Sequence, residues 1–311
     1  MAVGDFRDAG AAQARRVEFA TLSVAALIYG GWLALTLCAA RLPLWAVAPL
    51  GGWLIAWHGS LQHETIHGHP TPWRRVNRLL GFAPLSLWLP YGRYEQLHLA
   101  HHSAEHMTFP GLDPEARYLS SASGPLARTA ARASATLAGR LLIGPLLEVA
   151  GFVASEAKAL VANAAGVRRA WAVHLVGAAA ILAWLHWACG LGLADYLAAF
   201  VYPGAALSLL RSFAEHRADA DPRRRVAIVE KAPVLGLLFF NNNLHAAHHA
   251  FPGASWRRLP KLYAQHREAL LQANGGLVYQ GYAEVVRRFL LRPHDVLVHP
   301  LQQQAPQPEA G

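Results

Sequence analysis

Three short histidine clusters constrain this chain more than any other feature. They are His63-Glu-Thr-Ile-His67, His98-Leu-Ala-His-His102 and His245-Ala-Ala-His-His249. On a helix, positions i, i+3 and i+4 share one face, so each five-residue stretch can aim its imidazoles at one point. Imidazole is the commonest metal ligand and suits iron, copper, zinc and nickel. The clusters hold eight of the chain's 17 histidines. Eight is too many for one four-coordinate zinc, and two metal ions would use them. The fold must therefore bring together three stretches far apart in sequence.

Composition gives the setting. Of 311 residues, 54% are hydrophobic and 15% charged, against about 25% charged in soluble domains. That balance predicts a membrane protein. The net charge of +9 fits Lys/Arg-rich cytoplasmic segments beside anionic lipid. No basic stretch carries an RNA- or DNA-binding signature, so nucleic acid is not expected as a partner. Cys38 and Cys189 cannot build an iron–sulfur or zinc-ribbon framework. They read as small residues near span ends, with a disulfide between them left open.

A bilayer core needs about 20 apolar residues in a helix. Residues 18–40 and 43–62 meet this length and are separated only by Arg41 and its neighbours, which predicts an antiparallel hairpin. The first of these runs follows Arg15-Arg16 without a clear cleavage site and reads as a retained helix rather than a signal peptide. The second runs directly into His63. Residues 79–92 are apolar but short and interrupted by prolines, predicting a re-entrant or interfacial segment. Residues 120–140 read as a polar amphipathic stretch, and 141–165 as an amphipathic helix lying on the membrane. Residues 171–190 and 193–213 give a third and fourth span, joined by a tight turn at Gly190, Gly192 and Asp195. The fold class expected is all-α: about four transmembrane helices with a cytoplasmic helical cap holding a histidine-rich di-metal site. Residues 1–299 would form a single domain, and 300–311, rich in Gln and Pro, a disordered tail.

Charge supports this topology. Of the 28 Lys and Arg residues, only Arg41 falls in the two short loops on the side opposite the clusters. The positive-inside rule then puts both termini and all three clusters on the cytoplasmic face.

The clusters, in their order and spacing, resemble the three boxes of the integral-membrane fatty acid desaturase and hydroxylase superfamily. His63-x3-His67, His98-x2-His101-His102 and His245-x2-His248-His249 each match a box. The surrounding His63-Glu-Thr-Ile-His-Gly-His-Pro-Thr71, Asp113-Pro114 and Asn243-Leu-His245 resemble a bacterial branch, which implies the bacterial inner membrane. The resemblance implies a non-haem di-iron centre that uses O₂ and two electrons to attack an unactivated C–H bond of an acyl chain. It also implies a ninth ligand near the end of the fourth helix, where His216 stands, and an asparagine near one iron, for which Asn241, Asn242 and Asn243 are candidates. The implied metal ligands are thus His63, His67, His98, His101, His102, His216, His245, His248 and His249. Desaturation of a fatty acyl chain is the first reading. The His-Gly-His-Pro-Thr context also resembles membrane-bound decarboxylases that convert free fatty acids to terminal alkenes, and hydroxylation or ketolation of a lipid uses the same site type.

The remaining residues have plainer roles to weigh. His58, His174 and His186 fall inside the expected spans, where a histidine bonded to a helix neighbour competes with a functional one. His69 and His106 lie outside the box register. Glu64, Glu95, Glu105, Asp113 and Glu215 neighbour the ligands and either orient imidazoles or are simply solvated. His63-Glu64-x-x-His67 also fits the zinc-protease motif with Glu64 as general base, although that leaves both later clusters unemployed. A metal carrier is a third class. The sequence has no haem-binding His-Pro-Gly-Gly stretch and no glycine-rich flavin or nicotinamide loop. A di-iron oxidase built on it needs an external electron donor such as ferredoxin, and the basic face suits an acidic partner.

Overall fold

The computed structural model describes residues 16–303. The N-terminus, expected on the cytoplasmic face, and Arg15 lie outside the described residues. The described chain is mostly helical. The long helices are α1 (Phe19–Ala39), α2 (Leu44–Ile66), α8 (Val167–Ala188) and α9 (Leu193–Glu215). Three of them, α1, α8 and α9, are long and apolar enough to cross a membrane. Their most apolar stretches are only 28%, 17% and 33% buried within the protein, and side chains such as Leu27, Leu37, Leu175 and Val176 are exposed. That is the pattern of helices solvated by lipid.

The sequence predicts four spans, with α2 as the second. At 23 residues α2 is long enough, but it is less apolar than the others because protein, rather than solvent or lipid, covers much of it. Gly51 and Gly52 let α9 approach: a Cβ at Gly51 would stand 2.4 Å from the Ala199 carbonyl oxygen, and one at Gly52 2.7 Å from Pro203. Gly204 on α9 answers from the other side, its missing Cβ leaving room for Ile55. Small residues at a helix crossing allow this close packing. A π-helical turn at Leu197–Val201 precedes Pro203 and accommodates the missing proline N–H.

The proline-interrupted segment lies between α3 (Arg74–Phe82) and α4 (Tyr91–His102). It runs irregularly into the bundle and places Leu85, 1% exposed, among Trp32, Val47 and Tyr196. Non-helical backbone at such a place needs its carbonyls satisfied. Neighbouring side chains do this for the segment and for the last turn of α3 that leads into it. Gln62 Nε2 donates to the Gly81 carbonyl at 2.8 Å, Tyr196 Oη to Leu85 at 2.6 Å, and Tyr29 Oη to Leu80. His174 Nε2 lies 2.9 Å from the Leu87 carbonyl. His174 thus holds backbone, and His58 pairs with Tyr29 Oη at 3.2 Å. His186 is exposed.

The exposed helix α5 (Pro125–Ala133) and the single turns of α6 (Leu137–Leu142) lead to α7 (Gly144–Val161), which packs against α8 and α9. Beyond α9 the chain builds a cap. A two-residue strand β1 (Ile228–Val229) pairs in parallel with β2 (Val278–Tyr279), Ile228 opposite Val278. Around this pair stand α10 (Pro233–Leu238), α11 (His245–Ala250), α12 (Leu259–Ala273) and α13 (Tyr282–Phe289). A short helix α14 (Pro300–Gln303) occupies the start of the expected unstructured tail; residues 304–311 lie outside the described residues. Both cysteines carry free thiols, Cys38 exposed and Cys189 buried.

Candidate metal centre

All three clusters meet at one end of the bundle. His63 and His67 close α2, the second cluster closes α4, the third forms α11, and His216 follows α9 directly. The nine histidines sort into two groups. His63, His67, His98, His102 and His248 form one; His101, His216, His245 and His249 form the other. Within each group the candidate ligand atoms lie within 4.8 Å of one another.

The two H-x2-H-H clusters interleave. From α4, the i, i+4 pair His98 and His102 joins the first group while His101 crosses to the second. From α11, the i, i+4 pair His245 and His249 joins the second group while His248 crosses to the first. Within each group Nε2 faces Nε2: His67 to His98 at 3.0 Å, His98 to His102 at 3.1 Å and His102 to His248 at 3.0 Å in the first, His216 to His245 at 3.0 Å and His245 to His249 at 3.1 Å in the second.

The outward nitrogens have oxygen acceptors. His98 Nδ1 lies 2.8 Å from Glu115, His101 Nδ1 2.8 Å from Asp113, His245 Nδ1 3.1 Å from Asn242 Oδ1, and His216 Nδ1 3.2 Å from the Arg225 carbonyl. A carbonyl or carboxylate there fixes the proton on Nδ1 and leaves the Nε2 lone pair pointing inward. His63 Nε2 and His101 Nε2 are buried with no hydrogen-bond partner. Bare lone pairs facing each other at about 3 Å, with two more orphaned beside them, need a cation between them. The donor set therefore fits two metal ions held by neutral nitrogen, one with five donors and one with four.

Electrostatics agree. Burial and the neighbouring imidazoles, His98 and His67 foremost, hold His102 well below its ordinary range. His248 and His249 are lowered in the same way, by burial and then by their histidine neighbours. His216 is pushed down to about 3 by burial and by His101. His101 moves the other way. Burial opposes its charge, but the Asp113 hydrogen bond and the carboxylates of Glu115 and Glu215 outweigh it. A carboxylate on Nδ1 makes Nε2 a more basic donor.

The other sequence candidates separate clearly. Asp113 touches a site histidine, and Glu215 stands 3.4 Å from His245 Nδ1 while accepting from Asn242 Nδ2 at 3.0 Å. Asn242 is the asparagine of the three that contacts a site imidazole; Asn241 Nδ2 donates to the Trp256 carbonyl and Asn243 Nδ2 to the Val229 carbonyl. Glu64 accepts from the Trp256 N–H at 2.9 Å and groups with Glu18 and His69 rather than with the nine histidines. That placement removes the general base from the zinc-protease reading. His69 bonds Glu18 at 2.8 Å. Glu95 binds Arg74 and Arg78, and Glu105 and His106 are exposed. Sequence reasoning missed Glu115 and Arg225. Glu115 had a signal, two residues past Asp113; Arg225 acts through its backbone and had none.

Beside the centre lies a cleft open on one side. Ile55, Ala56, Val201, Gly204 and Ala205 line its lower part, and Gln62, Tyr94, Arg211 and Ser212 its upper part. Gln62 precedes His63, and the Tyr94 ring lies 5.7 Å from that of His98.

Residues 39–281 match the family model described as fatty acid desaturase. The match spans well over half the chain, and the protein belongs to the fatty acid desaturase family. None of the curated proteins matches it. Family and fold together define an integral-membrane oxidoreductase of fatty acyl chains.

Proposed function

We propose that the protein is a di-iron, O₂-dependent fatty acyl desaturase. The observation that carries this reading is the sorting of nine buried and half-buried histidines into two groups with their Nε2 atoms inward. His63, His67, His98, His102 and His248 would hold one iron, and His101, His216, His245 and His249 the other. When bound, the pair supplies the O₂ chemistry that the side chains themselves lack.

The protein supplies the rest. Asp113, Glu115 and Asn242 hold the imidazoles in the donating tautomer. The cleft takes the acyl chain between α2 and α9 and holds one –CH₂–CH₂– unit against the centre, so that position decides which hydrogens leave. Electrons and atoms balance as –CH₂–CH₂– + O₂ + 2e⁻ + 2H⁺ → –CH=CH– + 2H₂O, the electrons coming from an external donor such as ferredoxin. The exposed Arg74, Arg75, Arg78, Arg257, Arg258 and Lys261 give an acidic donor a docking face. Residues 1–299 act as one domain in this reading. It also has α2 crossing a bacterial inner membrane as a fourth span, with the termini and the histidines cytoplasmic.

The test is expression in a bacterial host, followed by gas chromatography of lipids and headspace. The wild type is expected to add double bonds to acyl chains, and His248→Ala to add none. Unchanged lipids with a competent donor present would refute the oxidase. Alkenes one carbon shorter than the fatty acid would replace desaturation with decarboxylation.

A further inference from the structure

Among the described residues, the two buried arginines are spent on structure. Arg225 is fully buried and donates from all three nitrogens: Nε to the Asp219 carbonyl at 2.7 Å, Nη1 to Met107 at 2.6 Å and Nη2 to Ala220 at 3.2 Å. Buried Arg93 grips Glu156 with two bonds of 2.8 Å. Arg211 differs. Its side chain is 16% exposed, and its Nε stands 2.9 Å from Glu215 Oε1. Yet that Nε is buried without a directed hydrogen bond, and Glu215 Oε1 also accepts from Asn242 Nδ2. The Tyr94 hydroxyl is a further partner, and Glu115 and Tyr282 also face the guanidinium. A guanidinium has five donors in a fork that matches a carboxylate. Arg211 keeps part of that fork uncommitted while lining the cleft.

Its position gives the free donors a purpose. Arg211 lies five residues before His216, which follows α9, about 7.5 Å along the axis. Val201, at the apolar lower end of the cleft, is ten residues below it, about 15 Å. The charged residues lining the cleft are Arg211, Arg117 and Glu148, with Glu215 paired to Arg211 behind the lining. Arg117 and Glu148 face each other at 3.7 Å, 32% and 42% exposed, nearer the surface.

We propose that Arg211, with the Tyr94 hydroxyl beside it, binds the carboxylate of a free fatty acid. The inference rests on the acyl-oxidation reading above and deepens it. The head group lies against the histidine centre and the methyl end points down between α2 and α9. Carbons 2 and 3, counted from the carboxyl, are then the ones nearest the histidines. An ester or thioester lacks the charge that Arg211 is placed to meet.

The test is competition binding to the full-length protein in detergent, metal-depleted, with a fluorescent polyene fatty acid as probe. Dodecanoic acid and methyl dodecanoate compete in turn. Wild type is expected to favour the acid. Arg211→Gln should weaken the acid about ten- to hundredfold, as for a lost charge-assisted hydrogen bond, and leave the ester unchanged, which also shows that the variant is folded. Arg211→Lys should restore part of the preference and Arg117→Gln should keep it. Equal competition by acid and ester in wild type, or loss of preference in Arg117→Gln alone, overturns the anchor and leaves acyl binding intact. Failure of both lipids to displace the probe from wild type overturns the anchor and the acyl-oxidation reading together. In the loaded enzyme, acid deuterated at carbons 2 and 3 should lose label; loss only from a mid-chain label contradicts the orientation.

Discussion

The helices α4 and α11 carry the same histidine pattern and do the same geometric work by different means. In α4 the pattern closes a helix of 12 residues, and the following loop returns Asp113 and Glu115 to the outward nitrogens of His101 and His98. In α11 the pattern fills a six-residue helix that could not stand alone. Its support is burial: Ala246, Ala247 and Ala250 pack with Val226, Ile228, Phe251, Leu259 and Leu262. Its outward contacts are at His245 Nδ1, where the Asn242 amide oxygen lies at 3.1 Å and the Glu215 carboxylate at 3.4 Å. One arm of the centre is thus positioned by carboxylates bonded directly to its imidazoles and the other mainly by packing. Both succeed because each helix sends its i+3 histidine across to the other's group.

The largest effect should come from those crossing residues. His101→Ala and His248→Ala each remove a donor from the group led by the opposite helix, and both are expected to abolish product and lower bound iron by at least one per chain, read by elemental analysis. Retention of full iron and activity in either would break the interleaved arrangement. His216→Ala should be narrower. It touches only the four-histidine group, so iron is expected to fall from about two per chain to about one. Loss of both ions would mean the groups are not separable.

Next come the carboxylates. Asp113→Asn and Glu115→Gln keep size and lose charge, and each should cost about ten- to a hundredfold in metal affinity or activity. Asp113 should cost more, because its side chain is 1% exposed against 36% for Glu115. An equal modification behind α11, Asn242→Ala, should cost less than either if packing is what positions that arm.

The smallest effect lies behind α11. Glu230 accepts from Arg267 Nε at 2.7 Å and from Tyr263, tying α12 to the strand pair. These bonds hold its carboxyl below the ordinary 4.5. A depressed carboxyl stabilises the fold above its unfolded value, and that contribution is lost as pH falls through the folded value. Glu230→Gln should therefore flatten the acid side of a thermal-stability profile below about pH 4.5 and leave pH 7 to 8 with a small uniform loss. An unchanged acid limb would remove Glu230 from the bracing of α11.

Much of this was legible in the sequence, and the reason is periodicity. The spacing i, i+3, i+4 places imidazoles on a face whatever the surroundings, so the eight box histidines stand out. His216 has no spacing partner and enters only through family resemblance. The interleaving was not legible, because it depends on how α4 and α11 oppose each other in space. The prolines around residues 84 and 90 announced a broken segment, but not that Gln62, Tyr196 and His174 would hold its carbonyls. Hydropathy read α2 like its neighbours, whereas its glycines and histidine reflect a helix packed among protein.

The central claim is that two metal ions sit among these nine imidazoles. Quantifying metals in the purified full-length protein tests it most directly. About two iron per chain, falling in His248→Ala, is the expected result. A single zinc, or a metal content indifferent to that substitution, would contradict it.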